Sequence, residues 1–183
     1  MVRVFTAIDI PDALKGSIAL ETRALGSLSG IKLADDTALH ITLHFFEDLS
    51  HDQVEEVKAA MSISSESKFA VSLRGVDFFD RKRPKVVFIK VAEGADRIRH
   101  IYYGLRGLVK DPGIEWEHRD FIPHLTIARV NGYSASLNSK LEDFAESHTG
   151  EFGSFVCNRI VLKRSDFTEH GVVHTELHGW DLL

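Results

Sequence analysis

The chain carries one polar pair twice in strand-like surroundings, "HITLHF" from His40 to Phe45 and "HLTIAR" from His124 to Arg129, with the two histidines 84 positions apart. Other positions keep the same spacing. Phe5 and Phe88 are 83 apart, Leu14 and Ile98 84, Ile31 and Ile114 83, and Val54 and Leu137 83. A single period aligning five elements is far too long for a solenoid repeat and marks a duplicated unit. The chain is therefore expected to fold as two similar halves, about 1–80 and 84–183.

Apolar periodicity supplies the elements of each half. "VRVFTAIDI" reads as a strand that Pro11 ends, and the next segment as a helix with Leu14, Ile18 and Leu25 on one side. "IKLA" and "LHITLHF" follow as strands, "HDQVEEVKAAM" as a helix with Val54, Val57 and Met61 inward, and "FAVSLRGVDFF" as a strand. The second half repeats the order. "KVVFIKV" is a strand, "DRIRHIYYGLRGLVK" a helix with Ile98, Tyr102, Leu105 and Val109 on one face, and "GIEW" and "IPHLTIARV" are strands. "SLNSKLEDFAES" is a helix, "FVCNRIVLK" a strand, and "TEHGVVHTELHGWDL" adds a last strand. The predicted class is α+β: one domain over 1–183, made of two interleaved pseudo-symmetric lobes. Two antiparallel sheets are related by a pseudo-twofold around a central cleft, with helices on the outer faces.

Composition narrows the function classes. With 183 residues, 44% hydrophobic and 27% charged, the chain can bury a real core. No run approaches the roughly 18 apolar residues of a membrane span, and "MVRVFTAIDI" lacks the pattern of a secretory signal. A cytoplasmic monomer is expected. Cys157 alone provides neither a disulfide framework nor a cysteine metal cluster, and its strand-like surroundings suggest a buried, inert thiol. A net charge of −5 argues against nonspecific coating of nucleic acid, while leaving open recognition of one polynucleotide end. "RKRPK", Arg81 to Lys85, is a local basic cluster that reads as a solvated turn or as a phosphate-steering patch.

In a strand, residues two apart share a face. His40 therefore projects with Thr42, and His124 with Thr126, while Ile41, Leu43, Leu125 and Ile127 turn to the core. Pro123 biases the backbone before His124 toward extension. If equivalent strands of a duplicated fold meet across its axis, two imidazoles and two hydroxyls converge. That set suits in-line displacement at phosphorus, which needs one base and one acid on opposite sides, and imidazole serves as either near neutrality. Threonine hydroxyls can donate to nonbridging oxygens, and Arg129 offers a fixed cationic fork. The scheme requires no metal and no cofactor.

The remaining histidines read more plainly. His44 joins the face of His40 and Thr42 if that strand stays regular, and is then a candidate substrate contact. His51 is expected to help satisfy the first turn of the helix it opens, and His100 and His118 to lie on exposed helix and loop positions. His170, His174 and His178 would form a metal face on a helix, but the alternation of Val173, Thr175 and Leu177 argues for a strand. Tyr102 and Tyr103 read as core and helix surface rather than a base-stacking platform.

With these motifs the chain resembles the two-histidine phosphoesterase superfamily, and within it the RNA 2',3'-cyclic phosphodiesterases long called 2'-5' RNA ligases. The likeness rests on "VFTAIDIP", "HITLHF", "PHLTIAR" and "IVLKRSDFTEHGVVHTEL", and so covers nearly the whole chain. It implies hydrolysis of an RNA-terminal 2',3'-cyclic phosphate to a 2'-phosphate without a metal, with His40 protonating the departing O3' and His124 activating water. Thr42, Thr126 and Arg129 would hold the phosphate, and Phe45 would pack on the terminal base. The first motif departs from the family's usual continuation, a basic residue followed by phenylalanine, leucine and glycine, with His44, Phe45, Phe46 and Glu47 instead. Ile127 replaces a common leucine on the core side. Partners expected from the resemblance are RNA 3' ends bearing the cyclic phosphate, or a small cyclic nucleotide. Sealing such an end onto a 5'-hydroxyl, the ligase activity, is the reverse of the same chemistry. The alternatives are a phosphodiesterase of 2'-5' linkages or of small cyclic nucleotide phosphates, and a non-catalytic module that binds RNA ends.

Overall fold

Proline's fixed φ and missing N–H suit a helix start better than a ladder. Strand β1 (Val2–Asp9) accordingly gives way at Pro11, whose carbonyl accepts from the N–H groups of Leu14 and Lys15 and opens helix α1 (Asp12–Thr22). The structure, a computed structural model of the 183-residue chain, describes residues 1–35, 39–62, 66–116, 120–169 and 171–183. After α1 and a 3-10 turn (Arg23–Ser27) come β2 (Ile31–Leu33), β3 (His40–Leu49), α2 (His51–Ser62) and β4 (Phe69–Phe79). The second half brings β5 (Val86–Val91), α3 (Ala95–Leu108), β6 (His124–Val130), α4 (Ala135–Ser147), β7 (Glu151–Cys157), β8 (Arg159–Thr168) and β9 (Gly171–Asp181).

All strand pairing among the described residues is antiparallel, in two sheets of order β3-β1-β8-β9 and β2-β6-β5-β4-β7. The expected α+β class with two antiparallel sheets is observed. The pairs β1–β3 and β5–β6 repeat one arrangement, one in each sheet. Each sheet takes strands from both halves of the sequence. β2 and β4 join β5, β6 and β7, while β8 and β9 extend the sheet that β1 and β3 begin.

One core spans both sheets. Ile41 and Leu43 from β3 and Leu125 and Ile127 from β6 share it with Ile18 of α1, Ile98 and Leu105 of α3, and Leu137 and Leu141 of α4. The predicted inward faces of α2 and α3 are buried at Val54, Val57, Met61, Ile98, Tyr102 and Leu105. Tyr103 stays half exposed on the helix surface. Cys157 is buried, and burial raises its thiol pKa to about 11, so it is inert near neutrality.

Three expectations need correction. "GIEW" forms no strand: Ile114 to Trp116 run outside any ladder, with Ile114 buried beside Phe46, Val54 and Val57 and Trp116 edge-on to Phe46. Alternating apolar residues pack equally well without ladder bonds, so the pattern misled. "FVCNRIVLK" is two strands rather than one, because the chain changes sheets at Asn158: β7 pairs with β4, and β8 with β1 and β9. The cap of α2 is Ser50, not His51. Ser50 and Gln53 exchange side-chain to backbone hydrogen bonds of 2.9 and 3.2 Å, the reciprocal box that satisfies a helix start. His51 is the first helical residue and lies exposed beside Asp52.

Candidate active site

Strands β3 and β6 belong to different sheets, yet they approach with α-carbons within 8 Å of one another. His40 and Thr42 are half-buried on one face of β3, and His124 and Thr126 half-buried on one face of β6, opposite the core residues between them. Phe5 of β1, which pairs with Phe45, packs its ring on His40 at 4.9 Å between centroids. Phe88, which pairs with Thr126 as Ala7 pairs with Thr42, packs on His124 at 5.2 Å, and Phe79 adds an edge contact at 4.8 Å. Each imidazole is thus held against an aromatic wall from the neighbouring strand.

Both motif strands then break their alternation at the same place. In β3 the register passes from Thr42↔Ala7 to His44↔Thr6, and in β6 from Thr126↔Phe88 to Ala128↔Val87. One extra residue, Leu43 or Ile127, is inserted in each, the signature of a β-bulge. Its effect is to reverse the facing of everything after it. His44 and Ala128 become buried, while Phe45 and Arg129 emerge on the side of the histidines. The buried Thr6 hydroxyl accepts the His44 N–H at 3.1 Å and so satisfies the irregular backbone of the first bulge.

His44 therefore does not join the site. Its ring is 4% exposed and stacks on Tyr102 at 4.0 Å and 3°, with Trp116 edge-on. Burial, reinforced by the Arg106 charge and opposed by the Tyr102 backbone, lowers its pKa to about 3, so it is neutral. Phe45 is 45% exposed and stacked beside Phe5. Arg3 bridges Phe45 to the exposed Phe167, its guanidinium 5.9 and 4.9 Å from the two ring centroids. Arg129 is exposed and lies across from Val86 and Lys32.

Surroundings differ between the two imidazoles. Asp9 is directly opposite His40, and Lys90 directly opposite His124, although the Lys90 amine leans over Gly75 of β4, on the far side of β5 from His124. Asp9 also accepts from Lys163 at 2.6 Å. His124 Nδ1 lies 2.7 Å from the Ile122 carbonyl, an acceptor, so Nδ1 carries the proton and Nε2 is the basic nitrogen. His174, on β9, stands edge-on to His40 at 5.6 Å; burial and Lys163 lower its pKa, against Asp9 and Asp35. Asp9 and Phe79 escaped the sequence reading because only pairing registers bring them to the histidines.

Among the described residues, no three His, Cys, Asp or Glu side chains are grouped to hold a metal, and no helix is long and apolar enough to cross a membrane. Of the three spaced histidines, His174 and His178 lie on β9, while His170, like His118, falls outside the described residues. A cavity of about 250 Å³ beside Met61, Ile101, Leu105 and Trp180 contains none of the motif residues.

Residues 12–166 match the model of the 2'-5' RNA ligase superfamily. A protein of Aeropyrum pernix named RNA 2',3'-cyclic phosphodiesterase is 30% identical over 149 residues, covering 81% of this chain and 84% of its own length. A protein of the same name from Archaeoglobus fulgidus is 28% identical over 184 residues, covering 98% of this chain and 99% of its own. In fold, E. coli LigT complexed with 3'-AMP superposes with a TM-score of 0.81 at 20% identity, covering 99% of this chain and 98% of that one. The chain belongs to the 2'-5' RNA ligase superfamily.

Proposed function

We propose that this protein is an RNA 2',3'-cyclic phosphodiesterase that opens a terminal 2',3'-cyclic phosphate to a 2'-phosphate by acid-base catalysis at His40 and His124. The observation that carries the proposal is the pair of His-x-Thr faces on β3 and β6, two strands of different sheets that come within 8 Å. The names of the A. pernix and A. fulgidus relatives support the same substrate.

The groups beside the histidines favour one assignment of roles. A carboxylate next to an imidazole favours its protonated form. With Asp9 across from it, a carboxylate it shares with Lys163, His40 is suited to act as the acid; with Nδ1 committed to a carbonyl, His124 is suited to act as the base through Nε2. In the reaction, water oxygen attacks phosphorus while His124 takes its proton. The P–O3' bond breaks as His40 protonates O3'. Thr42 and Thr126 donate to the nonbridging oxygens, Arg129 offsets the developing negative charge, and Phe45 packs on the terminal base. Acid-base assistance at each end contributes about 10² to 10⁴ in rate. The whole 183-residue chain would act as one monomeric domain of two interleaved lobes.

The test is incubation of EDTA-treated protein with an oligoribonucleotide ending in 2',3'-cyclic phosphate, followed by identification of the product isomer. The expected product is the 2'-phosphate. A 3'-phosphate, or turnover only on return of a divalent metal, would overturn the mechanism, and tight binding without turnover would favour a non-catalytic end-binding module.

A further inference from the structure

The basic cluster at Arg81–Lys85 is the turn between β4 and β5, and it lies on the same end of β6 as Arg129. The Lys85 carbonyl accepts from Val130 N–H at 2.9 Å, and Val86 pairs with Arg129. The turn begins two residues after Phe79, whose ring touches His124. An open groove of about 690 Å³ is bounded there by Asp80, Arg81, Lys82, Arg83, Tyr133 and Asn138. The bulge in β6 brings Arg129 to the His124 face, and Lys32 lies directly across from it on β2.

Charge in this region runs against that of the whole chain, which is −5. Among the described residues, Lys32, Lys82, Arg83, Lys85 and Arg129 form no ion pair, while Arg81 is held by Asp77 at 2.9 Å and over the Phe78 ring at 5.2 Å. The local acids are occupied. The Asp80 carboxylate turns into the loop to accept the N–H groups of Lys82 and Arg83, both at 3.2 Å, and Glu142 accepts from the Asn138 amide at 3.3 Å. Asn138 Oδ1 is buried at the groove without a hydrogen-bond partner among the described residues. Tyr133 is 59% exposed.

A row of cations beside an exposed aromatic ring matches how proteins hold single-stranded nucleic acid, by phosphate contacts with bases stacked on a side chain. From His124 to Arg129 the strand advances about 16 Å at about 3.3 Å per residue. That is the length of about five stacked nucleotides at 3.4 Å each. We propose that this basic rim binds the body of a single-stranded RNA, taking the phosphates on the 5' side of the reacting terminus, with Tyr133 stacking on a base. The proposal rests on the phosphodiesterase reading above and makes the preferred substrate an oligonucleotide rather than a mononucleotide.

The test pairs binding with turnover in the wild type and in a Lys82→Glu, Arg83→Glu double variant. Binding of a fluorescent single-stranded RNA with an ordinary 3'-hydroxyl is followed by anisotropy across a salt series. Turnover is measured on a nucleoside 2',3'-cyclic monophosphate and on an oligonucleotide with the same end. Expected are a loss of about 10-fold or more in RNA affinity and a salt slope shallower by about 1.4, from two phosphate contacts at about 0.7 each. Turnover of the monophosphate should be unchanged, and kcat/KM for the oligonucleotide should fall with affinity. Equal RNA binding by the two proteins, or equal loss of turnover on both substrates, would overturn the proposal. Absence of turnover by the wild type on either substrate would count against the phosphodiesterase reading alone, since the binding arm decides the rim without catalysis.

Discussion

The two motif strands share a backbone and differ in what they carry. β3 and β6 each begin with histidine and threonine on one face, and each inserts one bulged residue after the threonine. Each histidine is walled by a phenylalanine from the paired strand. Past the bulge the likeness stops. β3 buries His44 and presents Phe45, while β6 buries Ala128 and presents Arg129. Asp9 pairs with His40 where Lys90 pairs with His124 and leans away over Gly75. The two strand pairs share register and irregularity, which every side chain nearby depends on, and differ in the positions around them. Past the bulge, one side of the proposed site presents an aromatic ring and the other a guanidinium.

If that difference leaves the histidines equally necessary, His40→Ala and His124→Ala should each lower kcat by about 10² or more, with much smaller changes in product affinity. A large loss from one alone would mean that the halves are not partners in one step. The Asp9 charge is tested next. Asp9→Asn should lower kcat/KM at neutral pH by about 10-fold. The acid His40 must be protonated and the base His124 neutral. Asp9→Asn should therefore move the alkaline limb of the pH–rate profile to lower pH while leaving the acid limb in place. An alkaline limb that does not move would remove this charge from the account of the two roles.

Smaller effects separate Phe45 from Arg129. Phe45→Ala should raise KM by about 10-fold with kcat nearly kept, as loss of about 1–3 kcal/mol of base stacking requires. Arg129→Ala should lower kcat/KM and flatten its salt dependence by about 0.7, which steady-state assays at several salt concentrations would detect. The last contrast, His44 against Ala128, concerns stability. His44 takes a proton near pH 6.5 when unfolded and only near 3 when folded, so between these values the unfolded chain holds more protons. Stability should therefore fall by about 1.4 kcal/mol per unit as pH drops below 6.5. His44→Phe should remove that sensitivity and leave activity near pH 7 unchanged, a result that thermal melts across pH would check.

Much of this was legible in the sequence because it was periodic. The offset of 83 or 84 identified the paired strands, the helices between them and the two histidine-threonine faces. Strand alternation failed at one residue in each motif, and the failure was consequential: it assigned His44 to the substrate face and gave no reason for Phe45 and Arg129 to share it. A bulge is set by cross-strand pairing and by partners such as the Thr6 hydroxyl, which lies 38 residues from His44. Nothing local to "TLHF" announces it. The same limit explains Asn158, where the chain changes sheets without a glycine or proline, and "GIEW", whose apolar residues pack without a ladder. Asp9 is unremarkable as sequence and becomes informative only opposite a histidine.

The most direct test is a crystal structure with a nucleoside 2'-phosphate bound. Both imidazoles should lie within hydrogen-bond reach of the same phosphate, at about 3 Å, from opposite sides, with His40 toward the O3' position and His124 toward the site of water attack. A phosphate held by one histidine, with the other turned to a separate surface, would contradict the account.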